Sequence, residues 1–168
     1  IIVGGHQERG RRAGTENVAS IAGMGVACDL AAAGIEHENT VVKGLRDRLE
    51  AGLLAAVPDC QANGDVANRL PNTTNISFQY IEGEGILLLL DRVGVAASSG
   101  SACTSGSLEP SHVLRAMGLP FTLTHGSIRF SLNRYNTVDE VDYVVDVLPP
   151  IIERLRMITP FNEQRATF

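Results

Sequence analysis

The sequence predicts an α/β domain, specifically α+β with mixed strand pairing and helices packed on one sheet. Three observations carry that prediction. Apolar stripes at helical spacing alternate along the chain with segments of period two, the mark of half-buried strands. No internal repeat and no linker divides the chain. At 168 residues, with 44% hydrophobic and 20% charged residues, it is long enough for one core and too apolar for disorder.

Taken in order, residues 4–17 (GGHQERGRRAGTEN) are polar, glycine-rich and aperiodic, which predicts a loop. Its arginines Arg9, Arg11 and Arg12 beside Thr15 suit a phosphate or carboxylate, because guanidinium forks match such anions; a solvated charged turn is the commoner outcome by composition. Small apolar residues from Val18 to Ala33 predict a tightly packed helix, capped by Thr15 or Asn17 and stopped by Gly34, with Cys28 in the core. A second helix spans about Glu36 to Ala56, with Val42, Leu45, Leu49 and Leu53 on one stripe and Arg46, Asp47, Arg48 and Glu50 outside it. Lys43, the only lysine, falls on this helix as an ordinary surface residue.

Cys60 opens a short strand. Thr73 to Ile81 alternates, with Thr74, Ile76 and Phe78 against Asn75, Ser77 and Gln79, and predicts another. A short helix covers Glu84 to Val93. The run from Ala96 to Pro110, AASSGSACTSGSLEP, surrounds Cys103 with glycine, serine and threonine. Nothing there is bulky enough to bury a thiol, so a presented nucleophile and an incidental small hydrophobe stand about even on the loop alone. A helix beginning at Pro110 carries Val113, Leu114 and Met117 and stops at Gly118. Ser127 to Asn133 alternates as a strand that sets Arg129 and Ser131 opposite Ile128 and Phe130. Thr137 and Glu140 form a capping box for a last helix, which Pro149-Pro150 interrupts before its end near Met157.

Composition excludes several functions. A net charge of −5 offers nucleic acid or an anionic membrane no electrostatic attraction, and no apolar run approaches spanning length. No signal peptide is visible at the start of the sequence. Three widely spaced cysteines form neither a disulfide framework nor a metal pattern, so no metal is expected and a reducing cytoplasm is.

Three segments, GGHQERGRRAGTEN, SSGSACTSGSLEPSHVLRAMG and HGSIRFSLNRYNT, with LPNTTNISF between the first two, resemble the C-terminal part of NifS-type cysteine desulfurases. Those are pyridoxal-phosphate enzymes of the class V, fold-type-I group. The resemblance implies a linking loop and helix over residues 1–34, a small domain over 35–160 and a tail over 161–168. It makes Cys103 the persulfide-forming cysteine, Arg129 the holder of the substrate α-carboxylate, and Thr15 a contact to the cofactor phosphate across a homodimer. Sulfur would leave L-cysteine, giving L-alanine, with the cofactor as electron sink. An acceptor or iron–sulfur scaffold protein would then take it from Cys103. The same resemblance admits a selenocysteine lyase, or a non-catalytic sulfur carrier or dimerisation domain. It leaves the parts played by Arg9, Arg11, Arg12, His112 and His125 unassigned. The family's cofactor lysine lies upstream of the first motif and has no counterpart here, so these 168 residues alone are expected to be inactive.

Overall fold

In the computed structural model, residues 2–99 and 111–159 are described. The chain forms two compact units, residues 1–36 and 37–168.

The first unit holds the N-terminal loop and most of helix α1 (Val18–His37). Gln7 and Arg12 bridge across a short 3-10 turn at Glu8–Gly10, where Glu8 and Arg9 take left-handed φ values of 47° and 57°. Asn17, not Thr15, caps α1 by accepting from the Ser20 backbone N–H at 3.1 Å. None of the α1 residues is buried, so the expected tight packing is not found and Cys28 is exposed rather than in a core. Gly34 does not stop the helix either. A stop of that kind uses a left-handed glycine, and Gly34 is not among the glycines with positive φ. Helical backbone runs on from Val18 to Ala56, and an 18-residue window of it has a mean hydropathy of 1.7. By length and composition it could cross a membrane, which corrects the reading that no segment approaches that length. The cause is that alanine and glycine fill the gaps between larger apolar residues, with Asp29 the only charge from Val18 to Ile35. Core helices of water-soluble folds meet the same two conditions.

In the second unit a π-helical segment, Glu38–Val42, leads into α2 (Lys43–Ala56). Then follow β1 (Cys60–Ala62), β2 (Thr73–Phe78), α3 (Gly83–Arg92), α4 (His112–Ala116), α5 (Phe121–His125), β3 (Ser127–Ser131) and α6 (Val138–Ile158). The sheet has the order β1-β2-β3. Both pairings are antiparallel, where the sequence reading expected mixed pairing. The α+β class stands: each described strand meets its partner by reversal, so no parallel crossover is needed.

The periodicities place the core. Val42, Leu45, Leu49 and Leu53 of the α2 region meet Ile76 and Phe78 of β2 and Ile128 and Phe130 of β3. Ile86 and Leu90 of α3 and Val141, Leu148 and Ile152 of α6 complete the cluster. Burying one such side chain contributes roughly 1.5–3 kcal/mol. That explains why α6 continues through Pro149 and Pro150, against expectation. Neither proline donates an N–H, and an internal proline costs about 3 kcal/mol, but Leu148 and Ile152 are buried on either side of the pair. The capping box at its start is present, with Glu140 N–H donating to Thr137 Oγ1 and Thr137 N–H to Glu140 Oε2.

Two polar features were hidden in the helical pattern. Arg46, placed outside the apolar stripe, is only 2% exposed. Its Nη1 donates to the carbonyls of Leu70 and Thr73 at 3.3 and 3.5 Å, and Nε lies 2.8 Å from Asp47 without hydrogen-bond alignment. Glu50 receives both Arg69 Nη atoms at 2.6 and 2.7 Å and the Thr74 hydroxyl, joining α2 to β2 and to the segment before it. The Arg69 bonds, the Thr74 bond and the positive charges of Arg69 and Arg46 hold the Glu50 carboxyl below its ordinary range against the opposing effect of burial. A carboxyl whose folded pKa is depressed stabilises the fold above its unfolded pKa, about 4.3, and loses that contribution as pH falls through the folded value. Acid titration of stability is therefore expected to be shallower below about pH 4.3 in Glu50→Gln than in the unaltered chain, measured by denaturant midpoints at successive pH values.

Candidate functional site

Arg129 is exposed on β3, on the face opposite Ile128 and Phe130. Alternation puts it there: the neighbours point into the core, so the guanidinium points out. Its backbone groups do not pair with β2. Arg129 N–H donates to Ser98 O at 2.6 Å, and Ser98 N–H returns to Arg129 O at 3.2 Å. Ser98 thus adds a single antiparallel bridge to the outer edge of β3. The segment that carries Cys103 departs from that bridge, with Cys103 five positions further along. Cys103 itself lies outside the described residues, as does Pro110.

Around Arg129 the sheet face is polar. Asn75 of β2 is its register partner, and Ser77 stands opposite Ser127. Asn63, only 8% exposed, donates its amide to Asn75 Oδ1 at 2.6 Å and Ser77 Oγ at 2.7 Å, and accepts from Gln61 Nε2 at 3.3 Å. The sequence reading assigned Asn75 only to the outer face of its strand. Its place beside Arg129 depends on register, which the alternation pattern does not contain.

The other candidates fall elsewhere. Thr15 is exposed and belongs to the first unit. Of the nearby arginines, Arg12 is engaged within its own loop: it donates to Gly14 O at 2.7 Å and Ala13 O at 3.3 Å and pairs with Glu16. Arg9 and Arg11 are exposed. His112 opens α4 and is exposed. His125 ends α5, a short helix the sequence reading missed, with its ring 4.0 Å from that of Phe121. Its Nε2 is shut off from solvent and has no hydrogen-bond partner among the described residues.

Lys43 bears on any cofactor that needs a lysine for covalent attachment. It sits half exposed on α2, bound to Asp47 at 2.5 Å, as expected for a surface ion pair. The residues of this chain therefore do not supply that attachment. They do present a guanidinium and an amide side by side on one polar sheet face, which is chemistry for a carboxylate.

The remaining thiols differ. Cys60 donates its S–H to Val57 O at 3.0 Å, and burial pushes its pKa up. Cys28 is exposed. Peptide mapping after brief iodoacetamide treatment of the 168-residue chain is expected to find Cys28 modified, with Cys60 at least about tenfold slower. The expectation follows from the exposure of Cys28, which the sequence reading placed in a core.

The model of the family described as aminotransferase class-V matches residues 5–144. The chain is 64% identical over 161 residues to "Cysteine desulfurase NifS" of Azotobacter vinelandii, covering 96% of this chain and 40% of that protein. It is 63% identical over 166 residues to a cysteine desulfurase of Trichormus azollae, covering 99% and 42%. Among solved structures, a NifS-like protein from Rickettsia africae aligns with a TM-score of 0.79 at 33% identity, over 91% of this chain and 39% of that one. The chain thus spans about two-fifths of the length of the curated relatives it matches.

Proposed function

The chain belongs to the aminotransferase class-V family, and from that premise we propose that it is the substrate-gripping and sulfur-accepting part of a cysteine desulfurase. The observation that carries the reading is the Ser98–Arg129 bridge. It fixes the root of the cysteine-bearing segment to the residue suited to hold an amino-acid carboxylate. A group that grips the substrate and a thiol that takes its sulfur must work on one molecule, and a shared anchor serves that requirement.

In this reading Arg129 binds the α-carboxylate of L-cysteine through its guanidinium fork. Cys103, as thiolate, receives the sulfur and carries it as a persulfide to an acceptor, such as a scaffold for iron–sulfur cluster assembly. Thr15 contacts the phosphate of pyridoxal phosphate across a homodimer. The cofactor, when bound, supplies an electron sink for the carbon left behind. Lys43, engaged with Asp47, is the only lysine of these 168 residues. The 168 residues with added pyridoxal phosphate are therefore expected to release no sulfide from L-cysteine. The reducing cytoplasm is the proposed location, in keeping with the free thiols of Cys28 and Cys60.

A second reading is a non-catalytic sulfur carrier, which would use the loop thiol of Cys103 without needing the carboxylate grip of Arg129. Sulfur-35 L-cysteine separates the two when given to the protein as its cell produces it, followed by non-reducing peptide mapping. Label on the Cys103 peptide, with equimolar alanine released, supports the desulfurase. Label appearing there only when a separate desulfurase is added supports the carrier. A selenocysteine lyase would show L-selenocysteine outcompeting L-cysteine.

A further inference from the structure

We propose that Asn75 is a second donor to the substrate carboxylate, acting beside Arg129. The inference rests on the reading of Arg129 given above, and it starts from the backbone. In an antiparallel pair, residues directly opposite either exchange both hydrogen bonds or neither, and the unbonded pairs bring their side chains closer. Asn75 and Arg129 are opposite one another. Arg129 spends both backbone groups on Ser98, on the far side from β2. Asn75 turns its carbonyl the other way, accepting from Asn63 N–H at 2.8 Å. The two therefore form an unbonded pair, with Cβ atoms about 4.5–5.5 Å apart and both side chains on the polar face.

The orientation of the Asn75 amide follows from its neighbours. Asn63 uses its oxygen to accept from Gln61 Nε2, so its nitrogen faces Asn75 and Ser77 as a donor. Asn75 must meet that donor with Oδ1, and its NH2 remains. Asn63 is almost wholly buried and holds the arrangement from beneath. The pair then presents donors only: the guanidinium fork of Arg129 and the NH2 of Asn75. Two donor groups with no acceptor suit an anion with two oxygens, and they leave the NH2 of an amide, or a cationic group, without a partner. Asn75 thereby adds selectivity for an α-carboxylate over an amide or a decarboxylated analogue.

The test uses steady-state kinetics of the cofactor-loaded protein as its cell produces it, with thermal melting of every variant. Asn75→Ala is expected to raise KM for L-cysteine about tenfold, as befits one lost hydrogen bond to a charged group, with kcat changing less than about twofold. The inhibition constant of L-alanine should rise in parallel. Asn75→Asp keeps the acceptor for Asn63, and so the fold, but puts a fixed carboxylate beside Arg129. Its KM is expected to rise on the order of a hundredfold, with melting nearly unchanged. A purely structural asparagine predicts the reverse order, with aspartate the milder change, and that order overturns the proposal. So does an unchanged KM in Asn75→Ala while Arg129→Ala raises it. If Arg129→Ala itself leaves KM unchanged, the carboxylate role of Arg129 falls and this inference falls with it.

Discussion

Gly126→Ala is expected to cost roughly 3–5 kcal/mol and to leave the second unit close to unfolding. Gly126 stands between α5 and β3, where the chain turns from the helix into the strand that carries Arg129. A Cβ there would lie 2.0 Å from Phe78 O and 2.8 Å from Ile81 O. Both atoms are backbone, so no side chain can swing aside. Relief would have to come from the register of β2 against the 126–131 segment, where Phe78 N–H donates to Gly126 O at 2.9 Å. The φ of −88° is open to any residue, so the requirement for glycine is one of close approach and not of backbone conformation. Gly44→Ala is the contrasting case. Gly44 lies in α2 with nothing within 4 Å of an added Cβ, and alanine there is expected to stabilise by up to about 1 kcal/mol. Denaturant unfolding of both variants checks the pair. A Gly126→Ala chain as stable as the parent would mean that the strand accepts a shift of register.

In the protein as its cell produces it, replacing the two residues proposed to act on the substrate is expected to separate sulfur capture from substrate grip. Cys103→Ser leaves no thiol at the acceptor position, so persulfide formation and sulfide release from L-cysteine should fall to background. Arg129→Ala keeps the thiol and removes the fork. A charge-assisted pair to a carboxylate contributes about 1.5–3 kcal/mol, so kcat/KM should drop roughly 10- to 150-fold, mostly through KM. The residual turnover should still pass through a Cys103 persulfide. The carrier reading expects a different result. A carrier loaded by another enzyme has no use for a carboxylate grip, so Arg129→Ala would load as well as the parent while Cys103→Ser would not load at all. Persulfide labelling of both variants, with and without an added desulfurase, reads out the difference.

Much of this was legible because the signals were periodic. The α2 stripe, the alternation of Thr74, Ile76 and Phe78, the alternation of Ile128 and Phe130, and the capping box at Thr137 each follow from local spacing. What escaped depended on tertiary partners. Pro149-Pro150 reads as a break until the burial of Leu148 and Ile152 is known. Arg46 reads as a surface residue until the carbonyls of Leu70 and Thr73 arrive from elsewhere in the chain. Five residues, Phe121–His125, are too few for α5 to show a helical repeat. Of the site, Arg129 was placed on the correct face by alternation alone. Its two partners were not, because Ser98 comes from a segment with no strand signal and Asn75 is set by register. Thr15 and Arg129 fall in different units, and Cys103 lies outside the described residues, so the three were assembled only by resemblance.

The Ser98 bridge also bears on solubility. A small sheet has two borders, and a border with a row of unsatisfied amides and carbonyls is a template on which other copies can stack. One border here is β1, only three residues long, too short to seed a stable ladder. The other is β3, where Ser98 occupies both backbone groups of the middle residue. The contact that anchors the cysteine segment therefore also closes the middle of that border to strand addition by another copy. A substitution that removed it is expected to raise aggregation during expression, read as the insoluble fraction of the chain.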